Sequence, residues 1–303
     1  MTLQLVQPHL NPPIKKLPPD RRPFNILQDY LEDRLSLDET VEHITKPVED
    51  LYDDDQSVVY IFLGFTWRTF NSIIEQIPYD HDAHRKLAQL LVSIQHRHSP
   101  EGDDVRSFAA YEGQLWKDLP LFEPGLGGVW SSATEQIMSV TARAIDLQYD
   151  TLGRLGGPAG IRQHYMSWNA FLSRLASIQD APEWDIYGLM VLRWALEDDL
   201  NAEGLSLNVP GAVMWIFYAG EYIWKSEREW VAPFADRHAL YMSRGSLMWD
   251  ESKKNGFCEE RWVIWRDSFG WVADMEEVSN ETRELATLAY ERMRWIEENV
   301  PRS

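Results

Sequence analysis

Residues 184–197 read WDIYGLMVLRWALE. Trp184, Ile186, Tyr187, Leu189, Met190, Val191, Leu192, Trp194, Ala195 and Leu196 distribute apolar surface nearly all the way round a 3.6-residue period. A helix of that kind belongs in an interior. Arg193 and Glu197 stand four apart on it, the spacing at which side chains on one helix face meet, so the sequence predicts that they pair. Pairing is close to obligatory, because an isolated buried charge is strongly destabilising.

The same theme continues toward the C-terminus. Val209 to Trp224 is the longest apolar run, too short for a membrane span and interrupted by Glu221, so it reads as a second core helix. A carboxylate among Trp215, Ile216, Phe217 and Tyr218 must meet a cation or a donor, or keep its proton with a raised pKa. Arg174, Arg193 and Arg261 are the candidate cations. Structural ion pairs are the commoner reason for such a pattern, and the functional alternative is Glu221 as a general acid or base facing an aromatic cavity.

Helical spacing recurs along the chain. Strong helices are predicted near 161–178, 183–199, 211–225, 259–274 and 280–299. Before them, patterning starts at Phe24. Ser36 with Glu39 forms a capping box opening a helix that stops near Pro47, and Gln56 to Gln76 is a long apolar helix. Asp80 or Asp82 caps a further helix running to about His98, another is expected over 104–116, and Ser132 with Glu135 opens one more. Alternating strand patterns are almost absent. The fold class is all-α, a multi-helix bundle or a solenoid-like stack of antiparallel helix pairs. Residues 1–23 are a Pro-rich extended arm. Residues 24–303 read as one helical domain, with the Gly-rich break at 150–160 as a hinge or a long connection.

Composition limits the function. The chain has 303 residues and a net charge of -19, which repels phosphate backbones and anionic lipid surfaces, so neither nucleic acid nor membrane is an expected partner. The single cysteine, Cys258, excludes an internal disulfide and sits at an expected helix start, where it reads as a small buried or capping residue. The N-terminus lacks the apolar core of a signal peptide, so the expected setting is cytoplasmic.

Tryptophan is over-used: most of the 14 lie beyond the Gly-rich break. Trp168, Trp194, Trp215, Trp249, Trp262 and Trp265, with Asn169, Arg174 and Tyr218, are the candidate lining of a cavity for a hydrophobic ligand. Dense helix packing explains the same residues more simply. No nucleotide, metal or redox motif is present, so no cofactor is expected. Asp80 and His84 are four apart, a chelating spacing, but a third ligand at a defined position is lacking. Asp53–Asp55 and Glu197-Asp198-Asp199 resemble only in composition the acidic motifs by which terpene cyclases hold magnesium diphosphate.

Several segments together resemble a fungal family of proteins of unknown function, number three-six-three-two. They are Trp168-Asn169-Ala170-Phe171 with Arg174, Leu192 to Glu197, Trp215 to Glu221, and Gly256-Phe257 with Glu260-Arg261-Trp262 and Trp265. The closing helix, with Glu281-Thr282-Arg283 and Glu291-Arg292-Met293, also fits. The resemblance implies a helical fold and supplies no reaction. The preferred expectation is a cofactor-independent cyclase, isomerase or dehydratase of fungal specialised metabolism, working on a hydrophobic small molecule. Glu221 would be its acid or base, with Arg193, Glu197 and Arg261 as supporting charges. The alternatives are a helical interaction scaffold for a protein partner and a magnesium-diphosphate cyclase with unusual motifs.

Overall fold

The computed structural model describes residues 3–9, 15, 17–52, 56–98, 106–108, 111–122, 157–178, 184–230, 248–249 and 254–302. They fall into two compact units, Met1–Ser132 and Ala133–Ser303. Among the described residues there are nine α-helices: α1 (Pro23–Leu31), α2 (Leu37–Glu49), α3 (Gln56–Gln76), α4 (Ala83–Gln95), α5 (Gly157–Ala176), α6 (Asp185–Leu196), α7 (Ala202–Lys225), α8 (Glu259–Asp274) and α9 (Asn280–Asn299). The all-α architecture and its packed helix pairs are as the periodicity predicts.

In the first unit, α1, α2, α3 and α4 pack on one another. Ser36 caps α2 through the expected box, its hydroxyl accepting from the Glu39 N–H while Glu39 reaches back to the Ser36 N–H at 2.9 Å. The helix does not stop at Pro47 but carries it as an interior residue and ends at Glu49. Loss of a single N–H so close to the C-terminus is tolerated. At that end Arg97 grips Glu49 at 2.5 and 2.9 Å, and the Trp116 indole N–H donates to the same carboxylate at 3.1 Å. Trp67, Phe70 and Phe122 meet edge-on in the core.

Residues 104–116, expected to be helical, instead include a two-stranded antiparallel hairpin, Arg106–Phe108 with Tyr111–Gly113. Val105, Ser107, Phe108 and Tyr111 are weak helix formers, and Gly113 is weaker still, which disfavours helix nucleation in this stretch. The Pro-rich arm is tethered: Gln76 bonds both the N–H and the C=O of Val6. The helix expected after Ser132, the break at 150–156 and Asp53–Asp55 lie outside the described residues.

In the second unit α7 is the central element, packed against α5, α6 and α9, while α8 and α9 form an antiparallel hairpin. Two glycines allow the close approach. A Cβ on Gly188 of α6 would stand 2.4 Å from the Trp215 ring, and one on Gly211 of α7 would stand 2.3 Å from Tyr165 of α5. The α7 helix starts at Ala202, well before the predicted 211, because Asn201 caps it by accepting from the Gly204 N–H at 2.8 Å. It therefore runs through Pro210, whose ring and missing N–H free the Ser206 carbonyl. The Thr282 hydroxyl, in the first turn of α9, donates to that carbonyl at 3.4 Å. Among the described residues no helix is long and apolar enough to cross a membrane.

Candidate functional site

Glu197 caps the C-terminal end of α6, and Arg261 lies in the first turn of α8. Both are fully buried and face each other as a bidentate pair, Arg261 Nε and Nη2 lying 2.5 and 3.0 Å from the two carboxylate oxygens. The Trp265 indole N–H adds a third donor at 2.8 Å. Arg261 also donates to the Gly256 carbonyl at 3.3 Å, and its guanidinium lies 5.4 Å from the Trp249 ring centroid and 5.7 Å from that of Trp265. The planar guanidinium suits this setting, since it makes two parallel bonds to carboxylate and still meets ring faces. The i, i+4 pairing of Arg193 with Glu197 is thus corrected: the carboxylate turns to α8 because that direction offers three donors. Arg193, itself buried, lies 5.6 Å from the Trp194 ring centroid, and its charge pulls against the burial and the Glu197 charge that raise the Asp198 carboxyl.

Glu221 is not a core carboxylate. Its side chain is 45% exposed, and it accepts from Arg292 of α9 at 2.8 Å. The α7 helix buries Trp215, Ile216, Ala219, Gly220 and Ile223 and turns Glu221 toward water, a phase that an all-apolar run does not reveal. None of the three predicted cations, Arg174, Arg193 or Arg261, is the one that meets it in this pair.

The predicted aromatic lining is distributed through the unit. The Trp215 N–H donates to Asn169 Oδ1 at 2.8 Å, Trp168 meets Phe171 edge-on, and Arg174 stacks 3.4 Å over the Tyr218 ring. The Trp262 N–H donates to Glu297 at 2.9 Å, and Arg266 holds the same carboxylate. Trp168, Trp215, Trp249, Trp262 and Trp265 are buried, and Trp194 is half-buried. Each of Trp215, Trp249, Trp262 and Trp265 spends its indole N–H on a protein acceptor.

One polar cluster escaped the sequence reading. Asp185, in the first turn of α6, has a fully buried carboxylate that accepts from the Tyr222 hydroxyl at 2.7 Å and from Arg228 at 2.9 Å. Burial raises the Asp185 carboxyl in spite of the Arg228 charge, and burial together with Asp185 pushes the Tyr222 hydroxyl up. An acidic residue in a first helical turn is ordinary dipole compensation, and its partners are distant in sequence, so no local signal marks it. Burial likewise raises the Cys258 thiol, with Glu260 adding to the effect, so the thiol keeps its proton.

Asp80 and His84 do not share a helix, because α4 begins at Ala83; His84 is buried with Nε2 3.3 Å from the Ile77 carbonyl oxygen. Among the described residues no three His, Cys, Asp or Glu side chains converge as metal ligands. Large apolar side chains are left exposed on each of the last two helices: Trp271 of α8 is 53% exposed, and Leu288 and Trp295 of α9 50% and 47%.

Fold and geometry together define a helical protein whose buried carboxylates Glu197 and Asp185 are each paired with an arginine from a distant part of the chain. The chain belongs to the family described as protein of unknown function (DUF3632), whose model matches residues 67–269. No curated protein and no solved structure matches it.

Proposed function

We propose that this protein is a helical interaction scaffold that docks a protein partner on the exposed face of α9. The observation that carries this reading is the uncovered pair Leu288 and Trp295, seven residues apart on α9, whose opposite face is packed through Ala286, Ala289, Met293 and Ile296. Large aromatic residues on a surface are characteristic of binding sites, where they act as anchors. The charges that would have served chemistry have other work: Glu197 holds α6 to α8, and Glu221 meets Arg292 at the surface. A photo-crosslinking side chain at position 288 tests the reading, with one at exposed position 259 as control. A partner captured at 288, absent at 259 and lost on Trp295→Ala supports it. Identical capture at both positions overturns it.

A second reading, an enzyme acting on a hydrophobic small molecule, is favoured by the Asp185 cluster. A buried carboxyl with a raised pKa beside a tyrosine hydroxyl is suited to exchanging a proton with a guest. Asp185→Asn with Tyr222→Phe would then abolish turnover of a pathway intermediate while leaving the fold intact. Unchanged turnover removes the cluster from the mechanism.

A further inference from the structure

The outward face of α9 carries more than two apolar residues. Glu281, Glu284, Leu288, Glu291, Trp295 and Glu298 follow one another at spacings of three, four, three, four and three, and all six are exposed. That is the spacing of a coiled-coil seam. One row of the seam is Glu281, Leu288 and Trp295; the other, Glu284, Glu291 and Glu298, is acidic throughout. At the helical rise the stripe runs about 25 Å, long enough for a partner helix of more than two heptads.

The electrostatics restrict the partner. Glu281 lies 3.3 Å from the largely buried Arg162 and Glu298 3.4 Å from the exposed Arg294, both carboxylates themselves open to water, which weakens such pairs. Glu284 and Glu291, flanking Leu288, have no ion pair among the described residues. The α9 arginines lie off the seam: Arg283 is engaged with Asn280 and Arg292 with Glu221, while Arg294 touches it only at its last residue, Glu298. A second copy of this chain would set glutamates against glutamates and bring together two bodies of charge -19.

Building on the scaffold reading, we infer that the partner is a basic amphipathic helix, with apolar residues against Leu288 and Trp295 and Lys or Arg against Glu284, Glu291 and Glu298. Helix-in-groove docking reads anchors at this spacing, and opposite charges fix the register.

The test uses the full chain and three synthetic helical peptides, each of about 18 residues to match the stripe. All carry Leu on one seam row, with Lys, Gln or Glu on the other, and binding is followed by calorimetry. The Lys peptide is expected to bind wild type and to weaken at least about tenfold on Glu284→Lys with Glu291→Lys, because like charges then face each other. The Glu peptide should bind only the reversed variant. Melting curves confirm that the variant is folded. Equal binding of the Lys and Glu peptides, or no binding of the Lys peptide, overturns the inference. Binding of the Gln peptide as tightly as the Lys peptide, lost on Trp295→Ala, overturns the basic partner while leaving the docking face standing. Crosslinking at position 288 judges the scaffold separately.

Discussion

Glu197 with Arg261 and Glu221 with Arg292 are built from the same parts, and they have opposite consequences. Each is a carboxylate bound by an arginine from another helix, with a tryptophan ring beside the guanidinium, Trp265 at 5.7 Å in one and Trp295 at 4.5 Å in the other. The first pair is shut away from water with every strong donor aligned, while the second stands about a third to a half exposed. Burial, not pairing, sets what an ion pair is worth: removing one buried partner strands a charge, whereas water takes over from a surface partner.

The largest effect should come from breaking the buried pair. Arg261→Met leaves Glu197 among apolar groups and should cost about 3–5 kcal/mol, read from urea unfolding. Adding Glu197→Gln should recover much of that loss, because the stranded charge is then gone. A double variant no more stable than the single one would show that packing, and not charge, dominates there.

Next in size is a steric test of the same interior. Gly188→Ala drives a methyl group into the Trp215 ring and should cost about 1–3 kcal/mol by overpacking, measured as a fall in the urea midpoint with unchanged slope. A silent substitution would mean that α6 and α7 can separate more easily than the surroundings of Glu197 imply.

Asp185 lies between the two extremes. Its folded pKa is raised, so the folded chain holds this proton more tightly than the unfolded chain does. The stabilisation is therefore greatest in acid and is lost as pH rises through the folded value. Melting temperatures from about pH 4 to pH 7 should show wild type losing ground relative to Asp185→Asn as pH increases. The opposite slope would mean that Arg228 outweighs burial.

The smallest effect belongs to the surface pair. Glu221→Gln should change stability by less than about 1 kcal/mol, and added salt should shrink even that. A large loss would place Glu221 back among the buried charges and undo the comparison.

The last three helices of the second unit show how much was legible in advance. The α8 and α9 helices have the predicted limits, and for α9 local chemistry marks both ends, Ser279 accepting from the Thr282 N–H and Pro301 following the last turn. The α7 start was hidden by Pro210, which reads as a breaker until Thr282 supplies the donor for the freed carbonyl. The seam on α9 was present in the letters, but its exposure was not. It takes the packing of Ala286, Ala289, Met293 and Ile296 inward to show that Leu288 and Trp295 face out.

By itself, the sequence determined that the chain is helical, that its C-terminal half is rich in indoles, and that charges sit within apolar helices, because periodicity and composition are local properties. Which charge meets which was decided only in three dimensions. Arg261 reaches Glu197 across 64 residues, and Arg292 reaches Glu221 across 71. No spacing rule operates over such separations; helix packing alone set which carboxylate lost its water and which kept it.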